Sequence, residues 1–154
     1  MEMNFARADS EDADSLIDIQ NRSFLSDFQK YGICPSYNQT KVKITSHITQ
    51  DNVYKIVVDG GVVGDIVVIK KGDYHYHLQC ICVIPEYENH GIGNSAMRFI
   101  EREFPEANLW TLVTPADKLR NHCFYEKHGF KITKEFFTEN VKMSYFEKAI
   151  TPAV

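Results

Sequence analysis

The sequence predicts an α/β fold in which a mixed, mostly antiparallel sheet is flanked by helices. Three observations carry that expectation. Apolar residues near the N-terminus recur at helical spacing, the middle of the chain switches to strand-like runs joined by glycine turns, and helical and strand-like segments then alternate toward the C-terminus. A chain of 154 residues suits one domain spanning 1–154. That length buries enough surface to fold without a disulfide or metal staple.

Residues 4–7 form a short extended start. The run Asp9-Ser10-Glu11-Asp12 suits a helix N-terminus, because carboxylates favour the positive end of the helix dipole. Ala13, Leu16, Ile17, Gln20 and Phe24 then share one helix face, and the segment with Gly32 and Pro35 ends it. A second helix is expected over 38–49. Residues 53–58 and 62–69 read as strands around the Asp59-Gly60-Gly61 hairpin signal. After Lys71-Gly72-Asp73, a third strand covers 75–84 and stops at Pro85. A helix over about 94–104 carries Ala96, Met97, Ile100 and Phe104 on one side. A buried strand over 109–113 and a helix over 117–128 follow, with Gly129 placed as the glycine after a helix end. Strands over 131–137 and 141–146 close the chain.

Composition narrows the function classes. Hydrophobic residues are 44% and charged residues 25%, which excludes disordered and low-complexity chains. The 17 basic against 21 acidic residues, net −4, argue against a nucleic-acid partner. No run approaches the ~18 apolar residues of a membrane span, and the N-terminus lacks the basic and apolar stretches of a signal peptide. Cys34, Cys80, Cys82 and Cys123 form no CxxC pair, and Cys80 and Cys82 share a strand face, so no metal site is expected. Reduced, mostly buried thiols suit a cytoplasmic protein.

The most informative stretch runs from Val83-Ile84-Pro85 through Glu88-Asn89-His90-Gly91-Ile92-Gly93 into Asn94-Ser95-Ala96. It is a strand, a glycine loop and a helix start, where outward-pointing N–H groups and the helix dipole make an anion site. Gly91 and Gly93 let the backbone approach a diphosphate without Cβ obstruction. Equally, they make a tight turn. The spacing Gly91-x-Gly93-x-x-Ala96 satisfies a dinucleotide fingerprint, but three strands precede it in meander order and the next strand carries no acid for a ribose. No GxxxxGK[ST] loop is present.

Taken together with Tyr125-Glu126-Lys127-His128-Gly129-Phe130 at the end of the later helix, this loop resembles the GNAT N-acetyltransferase superfamily. The family's loop reads Q/R-x-x-G-x-G/A after a strand ending hydrophobic-x-P, and its later signature is Y-E-K-x-G-F. The element order agrees along the whole chain, so the resemblance implies a single-domain GNAT-like fold. It also implies acetyl-CoA as co-substrate and direct acetyl transfer to a primary amine of a small molecule or peptide. Two departures stand out. Glu88 replaces the usual Gln or Arg and is expected to point to solvent, and Lys118 replaces an Asn seven residues before the tyrosine, with Asn121 one turn before it instead.

By that resemblance, Ile81, Cys82 and Val83 pair with the pantetheine arm, and an N–H at Cys82 or Val83 faces the oxyanion. Asn89, His90, Gly91, Ile92, Gly93, Asn94 and Ser95 hold the diphosphate, and Asn121 and Tyr125 reach the arm. Tyr125 is the general acid, with a phenol protonated at neutral pH. His77 is the candidate base, aligned with Val83 by strand alternation. The resemblance also splays the 81–83 strand from the 109–113 strand, and Phe24, Phe28, Tyr31 and Tyr37 fall where the family walls its acceptor site. Trp110, Cys82 and Cys123 read as packing residues. The family often dimerises, which makes a homodimer one possible assembly, to which the C-terminal strands with Tyr145 and Phe146 could contribute. The alternatives are a GNAT-fold CoA-binding module without turnover and a nucleotide-binding regulator.

Overall fold

A computed structural model describes residues 1–151. The strands are β1 (Met3–Arg7), β2 (Asn52–Val58), β3 (Gly61–Lys70), β4 (His75–Val83), β5 (Leu109–Pro115), β6 (Lys131–Thr138) and β7 (Val141–Ala149). The helices are α1 (Ala13–Tyr31), α2 (Lys41–Gln50), α3 (Ile92–Glu103) and α4 (Leu119–Lys127). The element order matches the sequence expectation throughout, with boundaries moved by a few residues. One sheet holds all seven strands in the order β1-β2-β3-β4-β5-β7-β6. Only the β4–β5 pair is parallel among the described strands.

Local chemistry sets the helix ends. Asp9 accepts from the Glu11 N–H while Asp12 accepts from the Asp9 N–H, a reciprocal cap over the short 3-10 turn Ser10–Asp12 that leads into α1. Gly32 ends α1 in the left-handed conformation. α4 ends in a paired cap. The Phe130 N–H bonds the Tyr125 carbonyl, and the N–H of Gly129, at φ 91°, bonds that of Glu126. The Y-E-K-x-G-F run thus doubles as a helix stop, which holds Tyr125 one turn from a fixed end.

The core lies on both faces of the sheet. Leu16 and Ile19 of α1 bury against β3 and β4, while Ala96, Met97 and Ile100 of α3 bury against the other face. There Tyr76, Phe104 and Trp110 cluster, with ring centroids 4.7 Å (Tyr76–Phe104) and 5.6 Å (Tyr76–Trp110) apart. Trp110 is fully buried, as the packing reading expected. Phe146 is also fully buried, against His122 and Tyr125. It has no surface to offer a second copy, which corrects its expected part in a dimer. The exposed apolar side chains at that end are Ile132, Phe136 and Phe137, on the edge strand β6.

Two irregularities position the site. β4 and β5 pair only from His75↔Leu109 to His77↔Thr111 and then separate. The expected splay is therefore present, and it opens the sheet from Gln79 onward. The second irregularity is a register shift in β4, where Val67 faces Cys80 but Val68 faces Leu78. Gln79 is the extra residue of a bulge. Directly opposed residues share a face, so His77, opposite Ile69, lies on the face of Cys80 and Cys82, and Val83 lies on the other. The alternation expected to align His77 with Val83 fails at this bulge.

Candidate active site

The loop before α3 is built for an anion. Gly91 is the N-cap, at φ 77° with open space where a Cβ would stand, and no side chain caps the helix. The first intrahelical bond runs from the Ser95 N–H to the Gly91 carbonyl, so the N–H groups of Ile92, Gly93 and Asn94 have no helical acceptor. Ser95 thus spends its backbone donor inside the helix, and its hydroxyl accepts from Arg98. Any phosphate contact from Ser95 would therefore come from its hydroxyl proton and not from its backbone. Gly93 serves a different purpose from Gly91: a Cβ there would meet the Phe124 ring at 3.1 Å, so glycine lets α3 close onto α4.

A cavity of about 400 Å³ opens at these N–H groups. Ile81, Cys82, Val83, Asn89, Gly91, Ile92, Gly93, Asn94, Asn121 and Tyr125 all line it. His90 does not. Its exposed ring donates from Nδ1 to the Glu88 carbonyl, 2.7 Å away, and so folds back on its own loop. Asn94 also ties the loop to α4, through a 2.8 Å bond to His128 Nε2.

Glu88 does not simply face solvent. Its carboxylate lies 3.4 Å from Arg120 of α4, whose second nitrogen donates to Asn89 Oδ1 at 2.8 Å. Arg120 lines the cavity beside the loop. Sequence reading missed it, although a cation one residue before Asn121 was a readable signal. The pair is too exposed to add much stability, but it offsets the carboxylate where an anion would lie.

The β4 edge supplies further donors. The Ile84 N–H bonds Val63 on β3, and the two-residue period turns the Cys82 N–H the same way. The N–H groups of Ile81 and Val83 therefore point toward the gap left by β5. Of the two expected oxyanion donors, Val83 is the one aimed into the opening.

A second cavity, about 580 Å³, lies beyond the gap and shares Phe24, Ile81, Lys118, Asn121 and Tyr125 with the first. Tyr125 thus stands between them. It is 8% exposed, and burial pushes its phenol up, with nearby Cys80 adding to the effect. Asn121 donates to Thr114 Oγ1 at 3.0 Å, which fixes its amide at the junction. Lys118, in the place of the family's Asn, reaches Asp27 of α1 at 2.6 Å and bridges the two walls.

His77 lines the second cavity, apart from the loop. Its Nδ1 lies 2.8 Å from Thr111 Oγ1, and His75 Nε2 shares that oxygen. Burial, with Lys71 and His75 adding, lowers the His77 pKa to about 4. Of the four expected aromatic residues, Phe24 and Tyr31 line this cavity, whereas Phe28 and Tyr37 stack on each other at 4.6 Å.

Asp65 of β3 was not foreseen. An acid inside the apolar run 62–69 was its signal. It is fully buried, accepts from Gln20 Nε2 at 2.9 Å and meets the Cys80 and Cys82 thiols at 3.5 and 3.2 Å. Burial raises its pKa to about 6.

Known proteins resemble this chain at several levels. A family described as acetyltransferase (GNAT) domain matches residues 49–132. The uncharacterized protein YrkN of Bacillus subtilis (strain 168) is 44% identical over 90 residues, covering 57% of this chain and 48% of that protein. The chain therefore spans about half the length of this curated relative. The PaiA N-acetyltransferase of Thermoplasma acidophilum, solved with coenzyme A, has a TM-score of 0.82 at 18% identity, covering 97% of this chain and 100% of that one. The ribosomal-protein-S18-alanine N-acetyltransferase of Escherichia coli has a TM-score of 0.81 at 13% identity, covering 99% and 97%. At these identities the two structures establish the fold, and the family match over more than half the sequence makes this chain a member of the GNAT acetyltransferases, an acyltransferase family.

Proposed function

We propose that this protein is an acetyl-CoA-dependent N-acetyltransferase that moves an acetyl group directly onto a primary amine of a small molecule or peptide. One observation carries the reading: an uncapped α3 N-terminus opens into a cavity that continues past Tyr125, through the β4–β5 gap, into a second cavity. The crystallised PaiA relative, which holds coenzyme A, supports the same cofactor.

The residues fit such a cofactor. The N–H groups of Ile92, Gly93 and Asn94, with Arg120, hold a diphosphate. The cofactor supplies an acyl thioester. Ile81 and Val83 present free N–H groups to an extended arm, and the Val83 N–H stabilises charge on the acyl oxygen. Tyr125 gives its proton to the departing sulfur. The amine must lose a proton, and a free lysine-type amine has a pKa near 10.4. His77, with a pKa of about 4, is a weak acceptor for it. Apolar walls from Phe24, Ile33 and Leu112 favour the neutral amine by desolvation instead. Glu139, in the turn between β6 and β7, also lines this cavity and makes no ion pair among the described residues, and it favours acceptors that approach as cations. Four free thiols suit a reducing compartment such as the cytoplasm.

The test is thiol release from acetyl-CoA over a panel of polyamines, amino acids and peptide N-termini, beside calorimetry for CoA. Turnover on any amine supports the proposal. CoA binding without turnover on the whole panel favours the non-catalytic module, and tighter binding of NAD than of acetyl-CoA overturns the cofactor assignment.

A further inference from the structure

We propose that Asp65, Cys80 and Cys82 form a binding site for a thiophilic divalent cation, with zinc the best fit. The three side chains come from β3 and β4, all buried, and their ligand atoms lie within 4.8 Å of one another. The bulge at Gln79 leaves Cys80 and Cys82 on one face opposite Val67 and Asp65, so both thiols converge on a single carboxylate oxygen. A tetrahedral zinc with sulfur at ~2.3 Å and oxygen at ~2.0 Å holds those ligands about 3.5 Å apart. The observed separations from Asp65 Oδ1 are 3.5 Å for Cys80 and 3.2 Å for Cys82. Both sulfur–oxygen separations match the edge length of a coordination tetrahedron.

The surroundings point the same way. Asp65 is fully buried and makes no ion pair among the described residues; its partners are one amide and two thiols. A carboxylate buried without a counter-charge is costly, and a cation coordinated to it and to both thiolates would place positive charge directly against it. Binding replaces the two thiol protons with a dication, so the buried site gains no net charge. The protons leave to solvent. The ion reaches the ligands from the cavities, since Cys82 lines the first and Cys80 the second.

Gln20 of α1 stands beside the cluster, on the Oδ2 side of Asp65, and is the candidate for the fourth position. Its amide nitrogen lies 2.9 Å from Asp65 Oδ2, and its oxygen accepts from Gln39 at 2.6 Å. Half-turns of both carboxamides keep the Gln20–Gln39 bond, with Gln39 Oε1, which has no partner as it stands, as the acceptor. Gln20 Oε1 then faces the site, and α1 is pinned to β3 and β4. Such a site is set by the tertiary meeting of two strands and a helix, and the Cys-x-Cys spacing alone carries no such signal.

The test uses Cobalt(II) on a Cys34→Ser/Cys123→Ser background, which removes the two thiols outside the cluster. The EDTA-treated protein is titrated under a phosphine reductant. One equivalent of Cobalt(II) is expected to give a thiolate-to-cobalt charge-transfer band and tetrahedral ligand-field absorption, both discharged by zinc. Adding Cys82→Ser is expected to abolish the band. Asp65→Asn keeps both thiols and is expected to weaken binding by at least about tenfold, the lower end of losses seen even for outer partners of a metal site. Circular dichroism checks that each variant is folded. Absence of the band in the background protein, or a band unchanged by Cys82→Ser, overturns the proposal. Neither readout depends on acetyl transfer, so failure here leaves the proposed activity untouched.

Discussion

A phenol enclosed by Phe124, Phe130 and Phe146 keeps its proton well past neutral pH, because ionising it would place a charge in apolar surroundings. Tyr125 is therefore suited to donate and unsuited to accept. Under the proposed activity, Tyr125→Phe is expected to lower turnover about a hundredfold or more, the usual scale of general acid catalysis. Acetyl-CoA affinity should stay within about twofold, since the ring and its packing remain. Steady-state kinetics beside calorimetry separate the two, and unchanged turnover removes Tyr125 as the acid. Tyr125 was legible in the sequence through its Y-E-K-x-G-F context. Arg120 and Asp65 were marked in the sequence only as a cation beside Asn121 and an acid in an apolar run; what each does depends on a partner elsewhere in the chain, Glu88 in one case and the Cys80–Cys82 pair in the other.

At the scale of elements, the loop and the helix after it depend on two glycines for unlike reasons. Gly91 needs its left-handed φ and has free space, while Gly93 needs the absence of a Cβ against Phe124. Gly93→Ala is expected to destabilise the fold by about 1–3 kcal/mol through overpacking, and Phe124→Leu in the same chain is expected to restore part of it. Gly91→Ala meets no atom, but pays about 1–2 kcal/mol of left-handed strain, which Phe124→Leu will not relieve. Thermal melts of the four variants check this; rescue of Gly91→Ala, or none for Gly93→Ala, refutes the division. Element order and type were readable throughout, since periodicity and turn residues are local. The β4 bulge was not. It takes the register against Val67 and Val68 to see that Gln79 is an extra residue, and the expected alignment of His77 with Val83 failed there.

For the whole molecule, the buried Asp65 makes folding sensitive to pH. Its pKa is about 6 in the fold against 3.8 in the unfolded chain. Between those values the folded state holds a proton that the unfolded chain has released. The group's contribution is full at the acid end and falls as pH rises, by about 3 kcal/mol in all. Asp65→Asn is expected to remove that slope. Urea unfolding of both proteins from pH 4 to pH 7 in EDTA measures it, and equal slopes would refute the assignment. What the sequence by itself determined was the family, the order of elements and the loop and helix that frame the first cavity, because those signals lie within short stretches of chain. What only the tertiary structure decided was the chemistry between stretches. The parting of β4 and β5 joins two cavities, Arg120 comes to stand beside Glu88, and Asp65 meets two thiols beneath α1. Each is a contact between separate elements, set by register and packing, which no local pattern encodes.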